Sequence, residues 1–284
     1  MRLTRWLAPA AALGVIALVF AVGYAFVVRD ALFAKAASQT TFTTPGDSFD
    51  SGLAVNASVL TVDPVTNTFV LRLELDPRGG YRAGRRTANR QLDLLVNAAN
   101  GQQQRTYPAG RPIDLIDVGL DASGDAVMYP FDRHEAPFQI QVLDGSGAPV
   151  PVEITVVSDL HDWNVRVLPS SDSSPREMSV DIVATRSAAV VSLAVALMAL
   201  VAALVLVTIG VVVQSIRDPR TPDFAIVASL VALLFAIPAL RSSLPEAPPP
   251  GTLTDFVVFL WALVVVGVLM VALSLVYIRR YGRR

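Results

Sequence analysis

Four uncharged apolar runs divide the chain: Leu7 to Val28, Ala188 to Val213, Phe224 to Leu240 and Phe256 to Ile278. They hold 22, 26, 17 and 23 residues, near the length of about 20 that carries a helix across a hydrocarbon core of roughly 30 Å. Each predicts a transmembrane helix. The third is the shortest and holds Pro238 near its end, which leaves a re-entrant segment as its alternative.

Between the first and second runs the apolar period shortens to two. Leu53 to Val62 leads through Asp63-Pro64 and Asn67 into Thr68 to Leu75, where Phe69, Leu71, Leu73 and Leu75 share one face, the pattern of a β-hairpin. Further strand-like runs follow at Gln91 to Asn97, Ile113 to Leu120, Phe138 to Leu143, Val150 to Val157, Asn164 to Leu168 and Met178 to Ala184. Turn signals such as Asp144-Gly145-Ser146-Gly147 separate them. Alternation in Gln139-Ile140-Gln141-Val142 and in Val152 to Val156 is that of sheets wet on one face. The expected fold is an α+β membrane protein: an antiparallel β-sandwich-like domain with one helix before it and three after. The expected boundaries are an anchor helix at 1–28, the sandwich at 29–186 and a three-helix membrane domain at 187–284.

Composition sharpens this picture. The 284 residues are 53% apolar and 17% charged, with a mean hydropathy of +0.51, against about a quarter charged in soluble domains. All the charges lie outside the four runs. A net charge of −1 argues against a nucleic-acid partner, and the absence of cysteine excludes disulfides, thiolate metal sites and a cysteine nucleophile. Arginine placement sets the expected orientation. Arg2, Arg5, Arg217, Arg220, Arg279, Arg280, Arg283 and Arg284 fall on one side of the runs, whereas the short loop on the other side has Arg241 alone. The positive-inside rule puts both termini in the cytoplasm and residues 29–186 outside the plasma membrane. Cleavage of the first run as a signal peptide at Ala34-Lys35-Ala36 is the alternative. The run exceeds the usual apolar core of about 7–15 residues, which favours a retained anchor.

The chemistry of the outward segment is sparse. Asp132, Arg133, His134 and Glu135 form one charged group and Asp159, His161 and Asp162 another, but the spacing matches no metal motif. The expectation is that Asp132 pairs with Arg133 or nearby backbone, and that the second group is a solvated turn before Trp163. Gly145-Ser146-Gly147 lacks the strand and helix context of a catalytic serine and reads as a turn. No catalytic residue, metal or cofactor is expected. Arg78, Arg82, Arg85, Arg86 and Arg90 fall within 13 residues that hold no acid. Arginine forks suit phosphates and carboxylates, so these five are the candidate contact for an anionic lipid or envelope glycan. They stand out in a segment of 14 basic and 20 acidic residues.

Two stretches carry a resemblance. One is Met128-Tyr129-Pro130-Phe131-Asp132-Arg133-His134; the other includes Pro222-Asp223-Phe224, Pro238-Ala239-Leu240-Arg241, Pro248 to Thr252, Asp255, Phe259 and Trp261. With the one-plus-three order of spans, the chain resembles an actinobacterial membrane protein family catalogued as domain of unknown function 4436. That resemblance implies an architecture and no activity. Tyr129-Pro130-Phe131-Asp132 also resembles the aromatic-Pro-aromatic-Asp loop of pentameric ligand-gated channels, whose four helices all follow their sandwich. The four residues are the candidate loop coupling sandwich to membrane helices.

The function expected is a non-enzymatic binding or accessory module displayed on the cell envelope. Its helices, more than anchoring needs, suit a membrane-protein partner or a homo-oligomer. An oligomeric channel or transport component gated by the outer domain, and an extracytoplasmic enzyme, are the alternatives. Because none of the four runs holds Asp, Glu, Lys, Arg or His, a self-contained proton or ion relay is disfavoured.

Overall fold

The computed structural model describes residue 25 and residues 40–43, 49–171, 173–174, 176–218 and 224–281. Apart from Ala25, the first apolar run lies outside the described residues. The chain divides into two compact units, one of sheets and one of helices.

Among the described residues, thirteen strands build the sheet unit. In chain order they are β1 (Thr40–Thr43), β2 (Gly52–Asp63), β3 (Thr68–Arg78), β4 (Arg82–Gly84), β5 (Thr87–Ala88), β6 (Leu92–Val96) and β7 (Gln103–Tyr107). There follow β8 (Ile116–Asp121), β9 (Ser123–Gly124), β10 (Arg133–Asp144), β11 (Val152–Ser158), β12 (Trp163–Pro169) and β13 (Met178–Arg186). One sheet has the order β1-β11-β2-β3-β8, and a second has β12-β13-β10-β6-β7 with β9 beside β10. The short pair β4-β5 stands apart from both.

The hairpin β2-β3 shows how the sequence produces this arrangement. Phe69, Leu71, Leu73 and Leu75 alternate inward and are buried, while Asp63 closes the turn by accepting the amide N–H groups of Val65 and Thr66 at 2.8 and 3.1 Å. Asn67 takes φ +51° at the turn's end, a conformation its short polar side chain tolerates. One hydrophobic cluster takes residues from both larger sheets, among them Val55, Phe69 and Ile116 from the first and Leu94, Phe138 and Val180 from the second.

Among the described residues, the expected antiparallel pairing holds for every strand pair but one. β11 runs parallel to β2, with Val152 opposite Leu53 and Ser158 opposite Val59. A tight turn ties β2 to β3 and enforces antiparallel pairing there. β11 instead arrives from β10, a strand of the other sheet, so no hairpin dictates its direction.

The helical unit comprises α1 (Ala188–Arg217), α2 (Phe224–Ser242) and α3 (Leu260–Tyr281), the last entered through a π-helical segment, Asp255–Phe259. Ala188–Arg217, Phe224–Ser242 and Asp255–Arg280 are each long and apolar enough to cross a membrane. They pack through Ala194, Val201, Val212, Leu230, Ile237, Ala262, Val266 and Leu273. Arginine ties the end of α1: Arg280 donates to the carbonyls of Ile216 and Asp218 at 2.8 and 2.7 Å.

Candidate functional site

The arginine-rich segment folds as a braced loop. Gly79, at φ +55°, passes so close to the Asp50 carbonyl and Ser51 that a Cβ would collide with them. Ser51 Oγ accepts the Gly80 N–H at 2.8 Å, and Asn89 Nδ2 donates to the Gly80 carbonyl at 2.7 Å. The following segment docks on the same loop: Ile113 N–H donates to the Arg86 carbonyl and Gly110 N–H to that of Ala88.

Within this frame the five arginines separate. Arg78 pairs with Asp76 at 3.5 Å, Arg86 with Glu74 at 3.5 Å and Arg90 with Asp144 at 3.7 Å. Arg90 also lies over the Tyr81 ring, 4.7 Å from its centroid. The acids come from β3 and from the end of β10, so a loop with no acid in its own sequence finds three through the fold. Hydrogen bonds from the Ser146 hydroxyl and amide and from Ala148 hold the Asp144 carboxyl below the usual range, aided by the Arg90 charge. Arg82 and Arg85 are exposed, and neither has a carboxylate partner among the described residues. Arg111, also exposed, joins this neighbourhood because Pro112 bridges to Thr87. No sequence signal connected it with the loop, since that connection is made by backbone pairing.

A second cluster gathers at one end of β10, β12 and β13. Asp132 is buried, and both its carboxylate oxygens lie 3.0 Å from Arg186 Nε. His134 Nε2 is 3.2 Å from Asp132 Oδ2. The Arg186 guanidinium stacks over Trp163, 3.9 Å from the ring centroid, and His134 meets the same ring edge-on at 5.6 Å. Burial pushes the Asp132 carboxyl up, but the hydrogen bonds from His134 and Arg186 and the Arg186 charge outweigh it, leaving its pKa below the ordinary value.

This corrects the expected partner of Asp132. Arg133, the next residue, points to the opposite face of its strand and pairs with Glu135, because neighbouring side chains alternate across a strand. Arg186 comes from 54 residues away, across the β10-β13 ladder, which sequence proximity could not reveal. An arginine ending an apolar strand, two residues before an uncharged helix, was the available signal. His134 Nδ1 is buried without a hydrogen-bond partner among the described residues and packs on Gly124, where a Cβ would strike the ring. His161 is exposed whereas His134 is buried. Among the described residues no group of three or more His, Asp or Glu is placed to hold a metal ion. Ser146 sits in the tight turn after β10, its hydroxyl hydrogen-bonded to Asp144.

The four residues of the candidate coupling loop fall on both sides of the division between units. Val127–Pro130 belong to the helical unit, and Phe131 and Asp132 to the sheet unit. Tyr129 is buried and donates its hydroxyl to the Pro245 carbonyl at 3.0 Å; Pro130 follows a cis peptide bond. Phe131 is 59% exposed. In the helical unit, Arg241 forks onto Asp255 at 2.9 and 3.0 Å and also donates to the Pro249 carbonyl. Asp255 in turn accepts the Gly251 and Thr252 amides, so one carboxylate joins the end of α2, the proline-rich loop and the start of the last helix.

Comparison with curated proteins finds no match. A second family, described as Domain of unknown function (DUF8686), matches residues 186–280, the helical segment. The family described as Domain of unknown function (DUF4436) matches residues 43–184, which hold the sheets and both side-chain clusters, and the chain belongs to this DUF4436 family.

Proposed function

We propose that the protein is a non-enzymatic binding or accessory module of the cell envelope, held in the plasma membrane by an N-terminal helix and three C-terminal ones. The sheets form a β-sandwich on the outer side and both termini are cytoplasmic. Support for the sandwich comes from the single hydrophobic cluster to which both larger sheets contribute. The one-sided arginine distribution supports the orientation. The loop Tyr129-Pro130-Phe131-Asp132 couples sandwich to helices, since Tyr129 is fixed to Pro245 and Asp132, three residues on, to Arg186.

The ligand proposed is an anionic group, a phosphate or carboxylate of an anionic lipid or an envelope glycan. The observation carrying it is the division of labour in the arginine loop. Arg78, Arg86 and Arg90 are paired with acids, whereas Arg82 and Arg85 are exposed with guanidinium donors free to meet a partner. The test uses the full chain in nanodiscs of zwitterionic lipid, offered either vesicles containing phosphatidylglycerol or soluble polygalacturonate. Binding to one of the two, lost at least tenfold in the Arg82→Glu/Arg85→Glu variant and weakened by salt, is the expected result. Equal binding by both proteins would reject the contact.

A further inference from the structure

The turn Ala126–Met128 carries two consecutive apolar side chains, Val127 and Met128, that are 51% and 46% exposed. No charged residue intervenes between Asp125 and Asp132. The level of this turn relative to the helices is fixed. Tyr129, the next residue, is buried in the hydrophobic cluster of the helical unit, and its hydroxyl reaches the carbonyl of Pro245, three residues beyond the end of α2. The same end is marked by the Arg241-Asp255 pair. Trp261, 61% exposed, follows Asp255 by six residues, and tryptophan is enriched where helices meet a membrane–water boundary. Because successive Cα atoms are about 3.8 Å apart, Val127 and Met128 stay within about 8 Å of the Tyr129 backbone. They therefore stand where the apolar helices give way to polar loop.

We propose that this turn is a lipid-inserting wedge: Val127 and Met128 enter the headgroup and upper acyl region of the bilayer, and Tyr129 sets their depth. Interfacial segments bury apolar side chains about 5–10 Å into that boundary, a depth within reach of a turn anchored at Pro245. The partner is the lipid surface itself, and no specific headgroup is required. The proposal rests on the reading that α1, α2 and the last helix span the membrane.

The absence of native cysteine makes single-cysteine labelling clean. Met128→Cys, carrying an environment-sensitive fluorophore, is compared in nanodiscs with Val65→Cys and Leu206→Cys. Val65 is 64% exposed at the tip of the β2-β3 hairpin, and Leu206 is 66% exposed within α1. Met128→Cys is expected to emit to the blue of Val65→Cys and to be quenched at least twofold more by nitroxides near the headgroup than by nitroxides near the acyl-chain end. Val127→Cys repeats the measurement at the neighbouring position, and each variant is checked for an unchanged melting temperature. Emission like that of Val65→Cys at both positions, with Leu206→Cys quenched by deep nitroxides, would overturn the wedge and leave the spanning reading intact. A Leu206→Cys label that no lipid nitroxide reaches would overturn the spanning reading and the wedge with it.

Discussion

Asp132 is the residue whose replacement should be felt most. Its carboxylate is buried and shared between Arg186 and His134, and removing one partner of a buried ion pair leaves the other charge uncompensated, at a cost of about 3–5 kcal/mol. Asp132→Asn and Arg186→Met are each expected to lower the melting temperature substantially in detergent. Arg133→Ala removes only the exposed pair with Glu135 and should cost less than about 1 kcal/mol. Equal effects of Arg133→Ala and Arg186→Met would contradict the assignment. The pH dependence has a definite sign. The pKa of Asp132 is lower folded than unfolded, so its contribution is complete above the unfolded value near 3.9 and is lost as pH falls through the folded value. Thermal melts from pH 3 to pH 7 should show an acid limb that is shallower in Asp132→Asn. An unchanged acid limb in that variant would assign it to other carboxylates.

At the scale of elements, the end of α2 and the start of the last helix are joined through Asp255, which takes two hydrogen bonds from Arg241 and two from backbone amides. Hydrogen bonds to charged groups contribute about 1.5–3 kcal/mol. Arg241→Ala should therefore destabilise the helical unit by that order, and Arg241→Lys should recover only part because a lysine cannot fork. Proteolysis of the 243–254 loop in detergent is the readout, and a variant no more sensitive than the wild type would contradict it. The eight strands expected from apolar periodicity correspond to β2, β3, β6, β8, β10, β11, β12 and β13; β3, β6, β8, β10 and β12 bury one alternating face, whereas β2, β11 and β13 also hold runs of consecutive buried residues. The strands that went unseen are short or polar: β7, with the sequence Gln-Gln-Arg-Thr-Tyr, is exposed or half-buried throughout, so no alternation marks it. The parallel direction of β11 was equally illegible, because it depends on which sheet receives the strand after β10. The arginine loop was visible as a cluster of like charge, whereas its division into braced and exposed arginines depends on acids supplied by β3 and β10.

At the scale of the molecule, the uncharged helices and the arginines that flank them set the expected arrangement: a sheet unit facing outward and the α1-α2 connection facing the cytoplasm. The hairpin tip at Val65 and the end of α1 at Gln214, both exposed, then lie on opposite sides of the bilayer. Substituted-cysteine accessibility in intact spheroplasts, with a membrane-impermeant maleimide, tests this. Val65→Cys should be labelled in intact cells, and Gln214→Cys only after permeabilisation. Labelling of Gln214→Cys in intact cells while Val65→Cys stays protected until they are permeabilised would contradict the proposed outward display.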